Sequence, residues 1–218
     1  RFGTLSVRAV LRWLAERKSE GIDTEPFFRQ IAFREFYAHM LYHFPTLAST
    51  NFRHSFNGIG NHEFHAAFCE GRTGVPVVDA AVRQLLQTGD MHNRARMVCA
   101  SFYTKDLLLP WQWGERFFAA HLNDYDAASN ILSWQWSAGT GIDPQPYFRV
   151  FNPWLQSKKF DPDGAYVKRW CPELSVLTPK QLHDEAWMQS NTVAGYPKPI
   201  VEHKRAAAEA VAHFKQNL

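Results

Sequence analysis

The chain contains 218 residues, of which 45% are apolar and 15% aromatic, and its formal net charge is +3. This length fits one large domain or two small ones, and the apolar fraction is ample for a core. The small positive charge is weak support for an anionic partner. No apolar run reaches the length of a membrane span, and no signal peptide is visible. An odd number of cysteines without paired spacing favours a reduced, cytoplasmic protein; they are Cys69, Cys99 and Cys171.

The first residues contain a helix start that suits a phosphate group. The stretch FGTLSVR places Gly3, Thr4 and Ser6 directly before an apolar helical run that begins at Val7. Hydroxyl groups and free backbone N–H groups at a helix N-terminus bind phosphate well. From this stretch alone, an ordinary helix cap is the simpler interpretation.

Residues 25–44 are predicted to form a long helix. Apolar side chains recur at helical spacing: Phe28, Ile31, Ala32, Phe36, Met40 and Leu41. A second face carries Gln30, Phe33, Arg34 and Tyr37. The pattern by itself favours an aromatic-rich core helix.

Residues 45–76 are predicted to be irregular, and their histidines lack the spacing of metal ligands, so no metal site is expected. Residues 70–89 indicate a turn followed by a helix that ends at Gly89. After Pro153 the sequence favours a short helix, a loop-rich segment over 175–199 and a C-terminal helix. Almost nothing alternates like a strand and no repeat divides the chain. We therefore predict an all-α, multi-helix bundle in which residues 1–218 form a single domain.

The densest chemistry lies in residues 89–136. Asp90 is predicted to cap a helix that runs to Pro110. Asn93, Arg96 and Met97 share one face of it, because they are three and four positions apart. Arg94 lies two positions from Arg96, and at about 100° per residue the two side chains point to roughly opposite sides. One arginine is thus free to face a buried anion while the other faces outward.

A second helix is predicted after Asp124. Asn130 and Trp134 are four positions apart and face the same way, whereas Trp136 is expected to point elsewhere. Without further information, the tryptophans of this region would be assigned to core packing.

Five ordered motifs carry a family resemblance: HNRARM, ASFYTKDLL, DYDAASN, SWQWSAGTG and YFRVFNP. Together they resemble the FAD-binding domain of class I photolyases, the light-driven repair enzymes for cyclobutane pyrimidine dimers, a fold also used by cryptochromes. The resemblance covers residues 2–204. It implies a helical bundle that binds FAD in its middle. Because the chain begins at Arg1, we also expect an upstream α/β domain with an antenna chromophore.

The resemblance implies a set of FAD-binding residues. The N-terminal turn would hold the pyrophosphate, Arg96 and Asp124 would form an ion pair against the flavin ring, and Asp124 or Asp126 would accept the flavin N3–H. Asn130 would lie near flavin N5, where its neutral amide suits a reduced, anionic flavin. The implied set is Phe2, Gly3, Thr4, Leu5, Ser6, Arg34, Arg96, Asp124, Tyr125, Asp126 and Asn130.

The resemblance also implies catalytic and DNA-binding residues. Trp134 and Trp111 would be successive electron donors to the flavin, and Trp136 would stack on a flipped dimer. The implied catalytic set is Asn130, Trp134, Trp111, Asn93, Arg94, Met97 and Trp136. The implied DNA-binding set is Gln30, Phe33, Arg34, Tyr37, Asn93, Arg94, Arg149 and Gln156. Contacts of this kind to phosphate give affinity with little sequence preference.

Four positions depart from the family pattern. The repair enzymes usually carry glutamate at Gln30, tryptophan at Phe33 and an aromatic residue at Asp90. No tryptophan lies between Trp13 and Trp111, so the outermost of the three electron-relay tryptophans is absent. Tyr103 is a candidate outer donor only through its proximity in the sequence.

The predicted function is light-driven repair of pyrimidine dimers in DNA by a monomer. The alternative is a cryptochrome-like blue-light sensor that binds FAD without repairing DNA. An enzyme for (6-4) photoproducts is disfavoured, because that subfamily usually has a histidine pair where this chain has His92 and Asn93. A helical nucleic-acid-binding domain without a cofactor would leave Arg96, Asp124 and Asp126 unexplained.

Overall fold

A computed structural model of the protein describes residues 3–54, 56 and 58–216. The α-helices of this part of the chain are Val7–Ser19 (α1), Glu25–His43 (α2), His62–Cys69 (α3), Pro76–Thr88 (α4), Asn93–Ser101 (α5), Trp111–His121 (α6), Ala127–Ala138 (α7), Pro153–Phe160 (α8), Ala165–Trp170 (α9), Pro179–Leu182 (α10), Glu185–Ser190 (α11) and His203–Gln216 (α12). Short 3₁₀ turns occupy Pro45–Ala48 and Pro172–Leu174, and a π-helical turn occupies Phe102–Asp106.

The all-α prediction is confirmed. No strand occurs among residues 3–54, 56 and 58–216, where a bridge between Val193 and Tyr196 is the β-type pairing. Within the same described part of the chain, no helix combines the length and apolarity that a bilayer crossing requires.

The hydrophobic core includes buried residues of α4, α5, α6 and α7 and of the segment from α8 to Tyr196. Helix α4 shows why the local prediction succeeds there. Pro76 occupies its first turn, where the missing N–H costs nothing. The buried stripe includes Val78, Val82 and Leu85, and the helix ends at Gly89. Gly89 has a φ of 69°, a left-handed conformation that glycine adopts without strain.

Helix α5 does not begin where the sequence predicted. Asp90 is not its cap: the helix begins at Asn93, and Nδ1 of His92 accepts a hydrogen bond from the backbone N–H of Arg94 at 3.1 Å. The backbone N–H of Asn123 bonds to the carbonyl of Gly89 at 2.9 Å. This bond ties the stretch after α4 to the loop before α7, so the next helix starts later. The predicted run to Pro110 is also interrupted, because α5 passes into the π turn after Ser101.

Helix α7 has strong signals at both ends. The side chain of Asp126 accepts from the backbone N–H of Ser129 at 2.9 Å, and Gly139 follows the last turn with a φ of 85°. Gln135 in this helix is fully buried. Its amide donates to the carbonyls of Leu47 and Thr50 at 2.9 and 3.0 Å, which fixes the loop before α3 beneath α7.

Two predictions for the first third of the chain are wrong. Phe28 and Phe36 do not lie in a core: their exposed fractions are 47% and 40%, and no residue of α2 is buried. The stretch 45–76 is not wholly irregular, because α3 forms within it. The side chain of Asn61 caps α3 by accepting from the N–H groups of Glu63 and Phe64 at 2.9 and 3.0 Å.

The π turn connects the centre of the fold to α12. Nζ of Lys105 lies 3.0 Å from the carbonyl oxygen of Ala138 and 3.5 Å from the ring centroid of Phe214. Burial lowers the pKa of Lys105 to about 7. The next residue, Asp106, makes a 2.5 Å hydrogen bond to Nδ1 of His203 at the start of α12. A widened helical turn therefore presents two adjacent polar side chains to the same distant helix.

Asp79 is the centre of a buried polar cluster in α4. Its carboxylate accepts from the N–H and hydroxyl of Thr73 at 2.7 and 2.6 Å. It also accepts from the N–H of Gly74 at 2.9 Å and from the hydroxyl of Tyr196 at 2.6 Å. Burial raises the pKa of Asp79, and these four hydrogen bonds oppose that rise.

We expect Asp79→Asn to lower the free energy of unfolding by about 3 kcal/mol, because an amide NH₂ would face donors that now point at a carboxylate oxygen. Urea denaturation followed by circular dichroism measures this. The exposed substitution Asp163→Asn is the control and should change stability by less than about 0.5 kcal/mol. Equal effects of the two substitutions would contradict this assignment of Asp79.

Candidate functional site

A cavity of about 680 Å³ lies between α2, α5, α7 and the loop that joins α6 to α7. Most residues that the sequence singled out line it together, although they come from four separate segments. The lining residues predicted from the sequence are Gln30, Phe33, Arg34, Tyr37, Asn93, Arg96, Met97, Asp124, Tyr125, Asp126, Asn130, Trp134 and Trp136. The cavity lies within the 300–1,000 Å³ range that is usual for cofactor sites.

Arg96 and Asp124 form the predicted ion pair. Nη2 of Arg96 donates to both carboxylate oxygens of Asp124, at 2.9 and 3.0 Å, and Nε donates to the carbonyl of Met91 at 2.7 Å. The guanidinium is thereby held in a fixed plane along the cavity wall. Its side chain is 27% exposed and that of Asp124 is 59% exposed, so the pair lies at an open cavity surface.

Asp126 combines two tasks: it caps α7 and lines the cavity. Burial alone would raise the pKa of its carboxyl, but the hydrogen bonds from Ser129 and the nearby charge of Arg34 outweigh burial and lower it. The carboxylate is therefore charged at neutral pH. An ionised acceptor at this position suits an N–H donor of a ligand.

Asn130 is held by a residue that the sequence did not single out. Its amide nitrogen donates to Oε1 of Glu115 in α6 at 3.1 Å. The same oxygen accepts from the hydroxyl of Tyr125 at 3.0 Å, and the exposed fraction of Glu115 is 7%. Burial, followed by the charge of Glu115, raises the pKa of Tyr125 to about 12. A carboxylate on the buried face of α6, four residues after Trp111, was the available signal.

We expect Asn130→Asp to create a pH-dependent loss of stability. The introduced carboxyl would lie against Glu115, and like charges at this distance raise the pKa of one partner in the folded state. A raised folded-state pKa means that the folded protein binds more protons than the unfolded chain, so stability falls as pH rises. The free energy of unfolding should be about 2 kcal/mol lower at about pH 8 than at about pH 4, relative to the parent protein.

Urea denaturation at several pH values tests this expectation. Asn130→Ala is the matched control, because it removes the same amide without adding charge. Its effect on stability, relative to the parent, should change much less with pH than that of Asn130→Asp, because it removes one donor to Glu115 but adds no second charge. A pH-independent effect of Asn130→Asp would show that Glu115 does not act on this position.

The two tryptophans of α7 share the cavity. Trp134 is buried and Trp136 half-buried, and both line the cavity wall. That Trp136 points in another direction than Trp134 stays a prediction, because the cavity wraps around α7 far enough for both rings to line it. Gly114 permits the position of Trp134: a Cβ on Gly114 would lie 2.3 Å from that ring. Trp111 is three residues before Gly114, is buried, and donates from its indole N–H to Asn51 at 2.8 Å.

Helix α2 closes the opposite side of the cavity. Gln30, Phe33, Arg34 and Tyr37 all line it, as their shared face predicted. Burial, followed by the charge of Asp143, raises the pKa of Tyr37. The sequence analysis missed other lining residues. Three of these are serines at four-residue spacing on α7, namely Ser129, Ser133 and Ser137, and that spacing was a usable signal.

Several predicted residues lie outside the cavity lining. Arg94 points away from Arg96, as predicted, and its guanidinium carbon lies 4.8 Å from the ring centroid of Phe160 in α8. The others outside the lining are Gly3, Thr4, Leu5 and Ser6 before α1, together with Trp111, Arg149 and Gln156. Phe2 lies outside the described residues.

The donor set fits a flavin dinucleotide better than an apolar ligand. One part of the wall carries a fixed guanidinium, two carboxylates and a primary amide from Arg96, Asp124, Asp126 and Asn130. The remainder carries aromatic rings, including Phe33, Trp134 and Trp136. A planar heteroaromatic group with N–H and C=O functions can satisfy both parts at once.

The residues that the structure describes form an all-α fold, and the wall of this cavity is charged and polar in one part and aromatic in another. Residues 27–216 match the family model described as the FAD binding domain of DNA photolyase. The chain belongs to this family.

Relatives and solved structures that resemble this chain carry names from the same family. A deoxyribodipyrimidine photo-lyase of Neurospora crassa is 43% identical to this chain over an alignment of 240 positions, which covers 99% of this chain and 39% of the relative. The crystal structure of a class III photolyase from Agrobacterium tumefaciens is 42% identical, with a TM-score of 0.82, over 91% of this chain and 44% of that one. The crystal structure of a cryptochrome from Synechocystis is 28% identical to this chain, with a TM-score of 0.84, over 96% of this chain and 46% of that one. The chain thus spans less than half the length of these relatives.

Proposed function

We propose that the protein containing this chain repairs cyclobutane pyrimidine dimers in DNA by light-driven electron transfer from reduced FAD. One observation carries the proposal. The cavity is lined both by the residues expected to hold the flavin and by those expected to hold the lesion, including Asn93, Met97 and Trp136. A cofactor and a flipped lesion in one cavity would be close enough for direct electron transfer. The relatives named as photo-lyases support the same reaction.

The chain's own residues would bind and orient the cofactor. Arg96 and Asp124 would present one fixed ion pair to the flavin ring, and ionised Asp126 would accept a ring N–H. Asn130, fixed by Glu115, would offer its neutral amide to the flavin without repelling negative charge. Bound FAD supplies the light absorption and the electron that opens the cyclobutane ring, while the protein supplies position and electrostatics.

The DNA would approach the mouth of the cavity. Trp136, which is half-buried there, would stack on a flipped dimer and lower the cost of its extrusion. Arg94 and Arg149, with Gln156, would contact the backbone on either side. Lys158 and Lys159, in the last turn of α8, would extend this basic rim. Phosphate contacts of this type would weaken steeply with added salt and carry little sequence preference.

The decisive experiment uses the full-length protein, loaded with FAD and reduced. It is illuminated with DNA that contains a single thymine dimer, and dimer loss is followed against a dark control. Light-dependent loss is the expected result. No loss from a protein whose bound flavin is photoreducible would reject the repair proposal.

The second candidate is a cryptochrome-like light sensor, and two side chains in the cavity favour it. Gln30 cannot carry the charge of the glutamate usual in repair enzymes, and Phe33 offers a smaller ring than the usual tryptophan. Restoring both, as Gln30→Glu with Phe33→Trp, separates the two candidates. A gain of repair only in this double variant would favour a sensor in the parent protein.

Three properties of the whole protein complete the proposal. A second, light-harvesting chromophore would bind outside residues 1–218, in the α/β antenna domain that the family resemblance implies. The protein would act as a monomer, because a lesion-recognition surface of this kind is complete in one chain. It would be cytoplasmic, which suits its free cysteines, Cys69, Cys99 and Cys171.

A further inference from the structure

Another cavity, of about 200 Å³, lies between the loop before α3, the end of the π turn and the first turns of α12. Among the described residues, none that lines it also lines the candidate cofactor cavity. Much of its wall is apolar, and the apolar side chains include Ile59, Phe64, Leu107 and Ile200. Charged side chains complete the wall, so the cavity combines an apolar surface with a polar one.

One carboxylate oxygen at this cavity has no partner within the described part of the chain. Asp106 lines the cavity, and its side chain is fully buried. Its Oδ1 bonds to Nδ1 of His203, whereas its Oδ2 bonds to no group among the residues described. Burial raises the pKa of Asp106 to about 6, so most of these carboxyl groups are ionised at neutral pH. An unpaired, charged oxygen in a protein interior is costly, and a cationic ligand would relieve that cost.

The charges that line the cavity do not cancel. Three carboxylates, from Asp106, Glu202 and Glu209, stand against one guanidinium, from Arg205, which leaves a surplus of two negative charges. The guanidinium is already paired, since Nε of Arg205 lies 3.4 Å from Oε1 of Glu209. The cavity therefore favours a ligand with two positive charges.

His203 does not remove this surplus. Burial lowers the pKa of its imidazole, but the carboxylate of Asp106, followed by that of Glu185, outweighs burial and raises it. The imidazole adds at most one positive charge, while Glu185 adds a further carboxylate, which accepts from the backbone N–H of His203 at 2.6 Å. Lys105, one residue before Asp106, directs its ammonium to the carbonyl of Ala138 instead. Negative charge thus remains in excess at the cavity.

The size and chemistry of the cavity fit a small aliphatic diamine. Its volume of about 200 Å³ holds roughly six or seven groups the size of a water molecule, at ~30 Å³ each. A four-carbon diamine has that size, an apolar middle for the apolar wall and a positive charge at each end. A single metal ion fits less well, because the described residues contain no group of three or more His, Cys, Asp or Glu side chains able to hold one. Ile59 is 68% exposed at the cavity edge, so a free ligand can enter there.

We propose that this cavity binds a small aliphatic diamine, with one ammonium group at Oδ2 of Asp106 and the other at Glu202 and Glu209. The bound diamine would bridge the π turn and α12, two elements that are far apart in the chain. Because it would bind only the folded arrangement of these elements, it would stabilise the protein by mass action. The inference does not depend on bound flavin or on DNA repair.

Calorimetric titration of the full-length, FAD-loaded protein with 1,4-diaminobutane, at low salt and without DNA, tests the proposal. We expect saturable binding with a dissociation constant below about 1 mM. Butylamine, which carries one charge, should bind roughly five-fold more weakly, the size of one exposed ion pair, and butanol should not bind. Butylamine or butanol that bound as tightly as the diamine would overturn the proposal, and so would the absence of saturable binding. Displacement of the diamine by an equal concentration of Mg²⁺ would also overturn it, because the cavity would then be a metal site.

Two variants locate the site. Asp106→Asn should weaken diamine binding by roughly 100-fold, because an amide NH₂ would face the ammonium group of the ligand. Ile59→Lys, at an exposed position, should place its own ammonium at the cavity edge and block binding, while circular dichroism shows an intact helical fold.

Val176→Lys is the matched control for Ile59→Lys. It adds the same charge at a position that is 78% exposed and outside the cavity lining, so it should bind the diamine like the parent protein. Unchanged diamine binding in Ile59→Lys would overturn the proposal, whether or not Asp106→Asn folds. Equal loss of binding in Ile59→Lys and Val176→Lys would also overturn it, because the diamine would then respond only to the overall charge.

Discussion

Replacing Arg96 by leucine is expected to weaken FAD binding by roughly 100-fold, or about 3 kcal/mol, while the helical fold persists. Arg96 donates both to Asp124 and to the carbonyl of Met91, so its loss leaves a carboxylate without its partner beside the cofactor. The carboxylate would then face the flavin as an uncompensated charge. Because the ion pair is partly exposed, the expected cost lies toward the lower part of the range for buried pairs.

The absorbance of retained flavin after gel filtration, together with titration of the apoprotein with FAD, measures this loss. Arg94→Leu is the matched control, since it removes the same charge two residues away on the opposite side of α5. That variant should retain FAD and lose affinity for DNA. If both variants retained FAD equally, Arg96 would not be a cofactor residue.

Replacing Trp136 by leucine is expected to lower the affinity for dimer-containing DNA by roughly 10- to 100-fold, since stacking on one base contributes about 1–3 kcal/mol. Affinity for undamaged DNA should hardly change, because the proposed backbone contacts would be made by other residues. Trp136 is suited to this role by its position: it is half-buried, at the cavity wall, on a helix fixed at both ends.

Binding of the two DNAs at one salt concentration, with FAD loaded, gives the discrimination directly. Trp187→Leu in α11, remote from the cavity lining, is the control and should leave both affinities unchanged. An equal loss of affinity for damaged and undamaged DNA in Trp136→Leu would indicate a general packing role for this tryptophan.

The sequence predicts helices best where their end signals are local. Helices α4 and α7 carry a proline, an aspartate cap and terminal glycines within a few residues of their ends, so their limits follow from short-range chemistry. The prediction for the start of α5 fails because the backbone N–H of Asn123 bonds to the carbonyl of Gly89 and holds the stretch after α4 in place. No local sequence rule predicts that contact. Helix α2 shows a second limit: its period gives the faces correctly, but periodicity does not tell which face another element covers.

The candidate site shows the same contrast between features that the sequence predicts and features that depend on the packing of helices. Arg96 pairs with Asp124 as expected, because two opposite charges that are placed at one cofactor site have few other partners available. The sequence analysis did not identify Glu115, because its role depends on the crossing of α6 with α7, which places its carboxylate against Asn130 and Tyr125. The contact between the hydroxyl of Tyr103 and Nδ1 of His65 likewise depends on α3, a helix that the sequence pattern did not predict.

The π turn affects the order in which the protein folds while it is synthesised on the ribosome. Asp106 is bonded to His203, 97 positions later in the chain, and Lys105 lies under Phe214 in the same late helix. Domains synthesised first usually fold first, and long-range contacts close last. Until α12 has been translated, both polar side chains must stay hydrated, so the turn that also carries Tyr103 cannot settle against Trp134. The cavity wall around Trp134 is therefore complete, and ready to bind a cofactor, only after nearly the whole of this segment has been translated.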